Sequence, residues 1–486
     1  AADDVTVAAF DFSGFPTEDM AIDTVVGDTH ENSLAAAARE RPESESADGD
    51  QGGYEPTEPV DDELASTAHV DSSGAVAAAD PRDAELARRI QAVVDASSIA
   101  HPVTRPCLQT RSDGVCAQRS LDRFFEALRR TAYGEAAQPA RWSQFGDSLV
   151  VGDDFNAELR RLFGEQFGYG GHGFVYLGTP ERRVGNDGLR VTQSDAWDVL
   201  TIVRGGRADT LYGYGGAVFV PREGPTFEIR PSGDEHRFTR LGLLHFATRA
   251  PLSFRLHMGD GSAEIVEMST TRGESGLHWL DVPAEADRVR LSGFAPMGRY
   301  YGVIAENPAG VVIDNLGLVS SQAERLTRID EAHWSSQVAL RDADVISLFY
   351  GVNSAWDGLS NSSAGEYREE YAEVLSLVRR VAPDRDCFSV GILSRGDIEG
   401  GRPRIYESVA QIATIQQEEA TTHGCASWSA FEAIGGNDGI TQWYDLDRIG
   451  SDLSHATRSG YRTLASSLYI SLMAEFVVYL DERGQR

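Results

Sequence analysis

Apolar and polar positions change period three times along the chain. In AELARRIQAVVDA (84–96) and SLDRFFEALRRTAYG (120–134) apolar residues recur every three to four positions, which predicts two helices. RWSQFGDSLV (141–150) reads as a short strand running into a glycine-containing turn, and NAELRRLFGEQFG continues it as a helix. A strand, a tight turn and a helix in that order open a parallel α/β sheet. The next parallel strand is then postponed. Over 178–305 the chain shows short alternating runs such as AVFVP, TFEIRP, LGLLHFAT and LHWLDVP, punctuated by Gly, Pro and Asp, which predict an all-β sandwich. Buried-strand runs return at GVVIDNLGL (310–318), ADVISLFYG (343–351), CFSVGIL (387–393) and CASWSAF (425–431), separated by amphipathic stretches such as AGEYREEYAEVLSLVRRVAP (364–383). A long helix, SGYRTLASSLYISLMAEFVVYL, follows the last of them. The expectation is one α/β domain in two parts, 83–177 and 306–486, interrupted by a β-sandwich at 178–305.

Residues 1–82 fit none of these periods. The first 80 residues hold twenty acidic side chains against Arg39 and Arg41, more than half of the net charge of −31. Small and polar residues fill the gaps between the acids. Such a stretch cannot bury enough apolar area to offset chain entropy and is expected to be a disordered, self-repelling tether. All 44 basic residues are Arg, and the absence of Lys excludes P-loop, Schiff-base and protein-kinase chemistry. No clustered positive charge suggests a nucleic-acid partner. No run of about eighteen apolar residues predicts a membrane span. The opening AADD fits a mature terminus left by signal-peptide removal, or a truncation. Cys107 and Cys116 flank a polar loop and suit a local disulfide, whereas Cys387 and Cys425 read equally as buried thiols or as a second disulfide.

In an α/β sheet reactive groups gather beyond the carboxyl ends of the strands. The polar residues found there are Gly146-Asp147-Ser148, Asn315-Leu316-Gly317, Gly351-Val352-Asn353 and, before the final helix, Asp452-Leu453-Ser454-His455. These are the parts of a serine esterase. Ser148 needs an imidazole to remove its proton, His455 is the candidate base, and Asp452 is placed to orient it. The N–H groups of Ser148 and Gly317 and the amide of Asn353 are the candidate donors to an oxyanion. Asp438, in GGNDG, is the rival acid. Trp356 and His172 are candidates for lining the cleft. His236, His245, His257 and His278 lack the paired spacing of a zinc site, and neither a metal nor an organic cofactor is expected.

Gly146-Asp147-Ser148-Leu149, Gly317, Gly351-x-Asn353 and Asp452-x-x-His455 fall in the order of the four blocks of the SGNH (GDSL) hydrolase superfamily. Within it the chain resembles the two-domain peptidoglycan O-acetylesterases, in which a carbohydrate-binding-module-like sandwich is inserted between the first two blocks. GVNSAWDG (351–358) and WSAFEAIGGNDGITQWYDL (428–446) add to the likeness. Ser354 stands where the esterase subgroup has an acidic residue. The resemblance implies a flavodoxin-like three-layer α/β fold and a bacterial, extracytoplasmic (periplasmic or secreted) enzyme. It would release acetate from an acetylated polysaccharide, with O-acetylated peptidoglycan preferred. Acetylated xylan as substrate, acetyl transfer at the same site, and a non-catalytic glycan-binding surface protein are the alternatives.

Overall fold

The computed structural model describes residues 80–98, 101–181, 184–249, 251–259, 261–355 and 361–483. Most of the acidic stretch, up to residue 79, and Trp356 lie outside the described residues.

Five parallel strands form the central sheet: β1 (Ala140–Gly146), β2 (Val311–Gly317), β3 (Val345–Phe349), β4 (Asp386–Val390) and β5 (Ala426–Trp428), in the spatial order β2-β1-β3-β4-β5. That is the flavodoxin-like order, in which the chain reverses direction between β1 and β3 and opens a crevice at the carboxyl edge. Every residue of β1 is buried, because strands pair on both sides and helices cover both faces. Trp142 and Phe145 point to opposite faces. Trp142 packs on Phe124 and Phe163, with ring centroids 5.7 and 6.2 Å away, and Phe145 packs on Trp334 at 5.6 Å. The first face carries helices Asp122–Ala132 and Asp154–Phe167, with Arg458–Arg483 packed behind them. The second carries Glu331–Arg341, followed by Asn361–Val381 and Glu407–Thr422.

Helix Arg458–Arg483 has a mean hydropathy of 1.5 over its most apolar window, enough in length and composition to cross a membrane. Its apolar side is spent on the core: Leu464, Leu468, Leu472 and Phe476 are buried against helices Pro81–Asp95 and Asp154–Phe167. Disulfides join Cys107 to Cys116 and Cys387 to Cys425, the second tying β4 to the start of β5.

Between β1 and β2 lie two antiparallel sheets, one of five strands and one of six. Trp197, Phe294 and Tyr300 interlock between them, with centroids 4.9 and 5.0 Å apart. The sandwich strands begin earlier than the alternation predicts: Gly173–Val175 already pairs with Arg299–Glu306. Three residues are too few to show a period, so this strand is silent in the sequence.

The outer face of the six-stranded sheet rests on helix Glu331–Arg341, where Tyr301 Oη and His333 Nε2 are 2.9 Å apart. Beside them is a charged network with Arg341, Glu306 and Asp314 side chains all 0 % exposed. Arg341 donates to Asp314 at 2.8 and 2.9 Å and to Glu306 at 2.6 Å. Arg141 of β1 reaches Glu306 with two bonds of 3.1 Å, and Arg240 of the sandwich reaches it at 2.7 Å. Asp314 also accepts from Ser143 Oγ and from the Phe174 N–H. Burial pushes the Glu306 carboxyl up, but Arg341, Arg141 and Arg240 outweigh it and hold it at about 2. The network thereby fixes the sandwich to β1, β2 and the helix beside them.

Candidate active site

The site begins where β1 stops. Asp147 leaves the strand and caps the short helix Ser148–Val151, its Oδ1 accepting from the Leu149 N–H at 3.0 Å. This puts Ser148 at the first helical position, with its N–H at the positive end of the turn. The Asp147 carboxyl is buried, and Oδ2 has no hydrogen-bond partner among the described residues. Burial pushes its pKa up to about 7, against the Leu149, Asp147 and Gly351 N–H groups and the nearby His455. Gly351 reaches it from the end of β3 with φ +136, a conformation that favours glycine.

His455 comes from the far end of the chain. The loop before the last helix closes through Gly450 N–H to the His455 carbonyl, 2.8 Å, with Leu453 in the left-handed region at φ 47. Asp452 organises it: Oδ1 accepts from the N–H groups of Ser454 and His455 at 3.0 and 3.1 Å, and Oδ2 lies 2.6 Å from His455 Nδ1. On the other side of the ring, His455 Nε2 is 2.7 Å from Ser148 Oγ. An Nδ1 proton directed at Asp452 leaves Nε2 free to accept from the serine hydroxyl. Burial raises the Asp452 pKa, but the His455 ring and the two backbone N–H groups overcome it and hold it at about 2. The Asp452 hydrogen bond in turn raises the His455 pKa above its ordinary value, partly opposed by burial. Asp438 is exposed in the first turn of helix Gly436–Asp445, and no bond joins it to His455.

Two expected roles need correction. Gly317 N–H donates to Asn315 Oδ1 at 3.1 Å, so it is not directed at a substrate. Gly317 is still part of β2, in register with Gly146, and a Cβ there would lie 2.9 Å from the Val151 nitrogen. Glycine serves here to let the helix that carries Ser148 approach the sheet. His172 is 1 % exposed and cannot line a cleft mouth; burial drives its pKa well below the ordinary value and leaves the ring neutral.

Asn353 lies where expected, four residues beyond β3, half-buried. Its Nδ2 donates to the Ser321 carbonyl at 2.9 Å, and its own carbonyl accepts from Gln322 Nε2 at 3.1 Å, which orients the amide and leaves the second Nδ2 hydrogen unused by these bonds. Ser320, beside that contact, was missed by the sequence reading. It turns the chain after β2 with φ 60, is exposed, and its N–H finds no acceptor among the described residues. A serine in the left-handed region leaves no trace in composition or period.

A solved structure described as a peptidoglycan O-acetylesterase in action matches with a TM-score of 0.61 at 22% identity, over 73% of this chain and 96% of that one. The chain has the fold of that structure. An acetyl xylan esterase (16% identity, 33% of this chain and 79% of that one, TM-score 0.24) also matches. So does a family two carbohydrate esterase from Cellvibrio japonicus (10%, 60% and 99%, TM-score 0.23), and neither likeness is close enough to carry weight. No family model matches the chain, and no curated protein does. The inserted sandwich is the part that sets this chain's architecture apart from a bare α/β body.

Proposed function

We propose that the protein is a serine esterase that removes O-acetyl groups from a polysaccharide, with O-acetylated peptidoglycan as preferred substrate. The observation that carries this reading is the line Asp452–His455–Ser148, with contacts of 2.6 and 2.7 Å. Ser148 Oγ attacks the acetyl carbonyl as His455 Nε2 takes its proton. The imidazolium is stabilised by Asp452 and returns the proton to the departing sugar oxygen. Water, deprotonated by the same nitrogen, then releases acetate from Ser148. The oxyanion is met by the Ser148 N–H, the free hydrogen of Asn353 Nδ2 and the Ser320 N–H, which takes the place expected of Gly317. Each donor of this kind contributes about 2.7–4 kcal/mol at the transition state. The substrate preference draws on the likeness to the peptidoglycan O-acetylesterase, and the two disulfides support a location outside the cytoplasm, in the periplasm or beyond.

The test is acetate release by the purified protein and its Ser148→Ala variant from a small acetyl ester, O-acetylated peptidoglycan, acetylated xylan and acetylated chitooligomers. Turnover by the wild type alone, fastest on peptidoglycan, is expected. Equal turnover by both proteins, or none by either, overturns the mechanism; a faster rate on xylan overturns only the substrate.

A further inference from the structure

Four neighbouring strands each lead to a polar residue beyond their carboxyl ends: Ser148 after β1, Ser320 after β2, Asn353 after β3 and Arg395 after β4. The first three have roles above. Arg395 has none. It is half-buried, and its guanidinium makes no hydrogen bond, ion pair or ring contact among the described residues.

Its backbone is held firmly. The Arg395 carbonyl accepts from the Tyr406 N–H at 3.0 Å, and the strands Gly396–Glu399 and Arg402–Ile405 form a hairpin immediately beyond it. That hairpin is closed tightly, since a Cβ on Gly396 would lie 2.1 Å from the Arg404 carbonyl oxygen. The acids of the hairpin are occupied elsewhere. Asp397 accepts from Tyr406 Oη at 2.8 Å, and Glu399 pairs with Arg404 at 2.7 Å. Asp452, the exposed acid of the site, is turned to His455. Arg395 is near enough to His455 for its charge to oppose protonation of the ring. A guanidinium partly removed from water without a counter-ion has lost solvation that a bound anion restores. Its planar fork matches a carboxylate with two parallel N–H···O bonds.

We propose that Arg395 is the anion-recognition residue of this site, binding a carboxylate of the acetylated glycan while the ester lies at Ser148. The proposal rests on the esterase reading. The carboxylate belongs either to a sugar unit or to a peptide attached to the glycan, and both present the same chemistry to the guanidinium.

The experiment compares wild type, Arg395→Gln and Arg395→Lys on a neutral acetylated chitooligomer, an acetylated uronic-acid oligosaccharide, and acetylated peptidoglycan fragments with and without peptide. In Arg395→Gln the ratio of acidic to neutral kcat/KM should fall about tenfold or more, through KM, as for a lost hydrogen bond to a charged group. Arg395→Lys should restore part of it. The substrate whose ratio falls identifies the carboxylate. An unchanged ratio overturns the proposal, including one accompanied by a pH profile shifted alike on all substrates, which would mark Arg395 as acting on His455 alone. Calorimetric binding of the deacetylated acidic oligosaccharides needs no turnover. Tighter binding by wild type than by Arg395→Gln supports the proposal even if the esterase reading fails, and equal binding overturns it even if that reading holds.

Discussion

Two clusters of charged side chains flank the central sheet and are built in opposite ways. Arg341, Glu306 and Asp314, toward the amino end, are 0 % exposed, and both carboxylates are matched by arginine and by neighbouring donors. His455 and Asp452, at the carboxyl edge, keep 42% and 54% of their side-chain surface. The dry cluster cannot change its protonation without breaking the join between sandwich and α/β body. The wet one is held by a few bonds that leave Nε2 and the serine open to a reactant. Closure suits holding, and incompleteness suits reaction.

The sharpest way to separate the two is to remove one group from each. Ser148→Ala should cost about 10⁴-fold or more in kcat on a small acetyl ester, with an unchanged denaturation midpoint. Glu306→Gln should do the reverse. It leaves buried arginines without their carboxylate and should cost about 3–5 kcal/mol of stability, read as a lower denaturant midpoint. A midpoint equal to wild type would mean that the buried network does not hold the two bodies together.

Gly317→Ala comes next. The substitution keeps the N–H but crowds the Val151 backbone, so a stability loss of about 1–3 kcal/mol is expected by thermal or chemical denaturation. A variant as stable as wild type would break the packing account of this glycine.

The smallest effect is on pH. Neutral His455 is the working base, and Asp452 raises its pKa, so kcat/KM should climb with pH through a value above the ordinary ~6.5. In Asp452→Asn, which will also be slower, that limb should move toward acid. A limb that stays in place would detach the two residues.

The α/β body was legible because its strands are buried on both faces and read as apolar runs, and the sandwich because its strands alternate. Ser148, Asp452 and His455 were legible because each lies in a short block at a strand or loop end. Direction was not legible. Glycine at 317 marks a close approach, but no letter of the sequence says where its N–H points. Burial of His172 is set by how the chain packs, with Arg160, Asn186, Asp187 and His236 near the ring, and no local period announces it. Cys387 and Cys425 look alike as thiols or as a disulfide, because both states are apolar. Arg395 is one arginine among 44, and what distinguishes it among the described residues is half-burial without a partner.

The placement of the sandwich also has a consequence for biosynthesis. Gly146 pairs with Gly317 across the whole inserted domain, and Ser148 lies 307 residues from the histidine it touches. Contacts so distant in the chain form late, after local units have closed. Translation proceeds from the amino end at about 5–20 residues per second, and domains fold as they emerge. The ribosome therefore releases the nucleophile well before its base, and the sandwich has time to fold while the sheet is still missing four of its five strands. Until the loop at 450–456 is made, an ester that reaches Ser148 meets an alcohol and no catalyst.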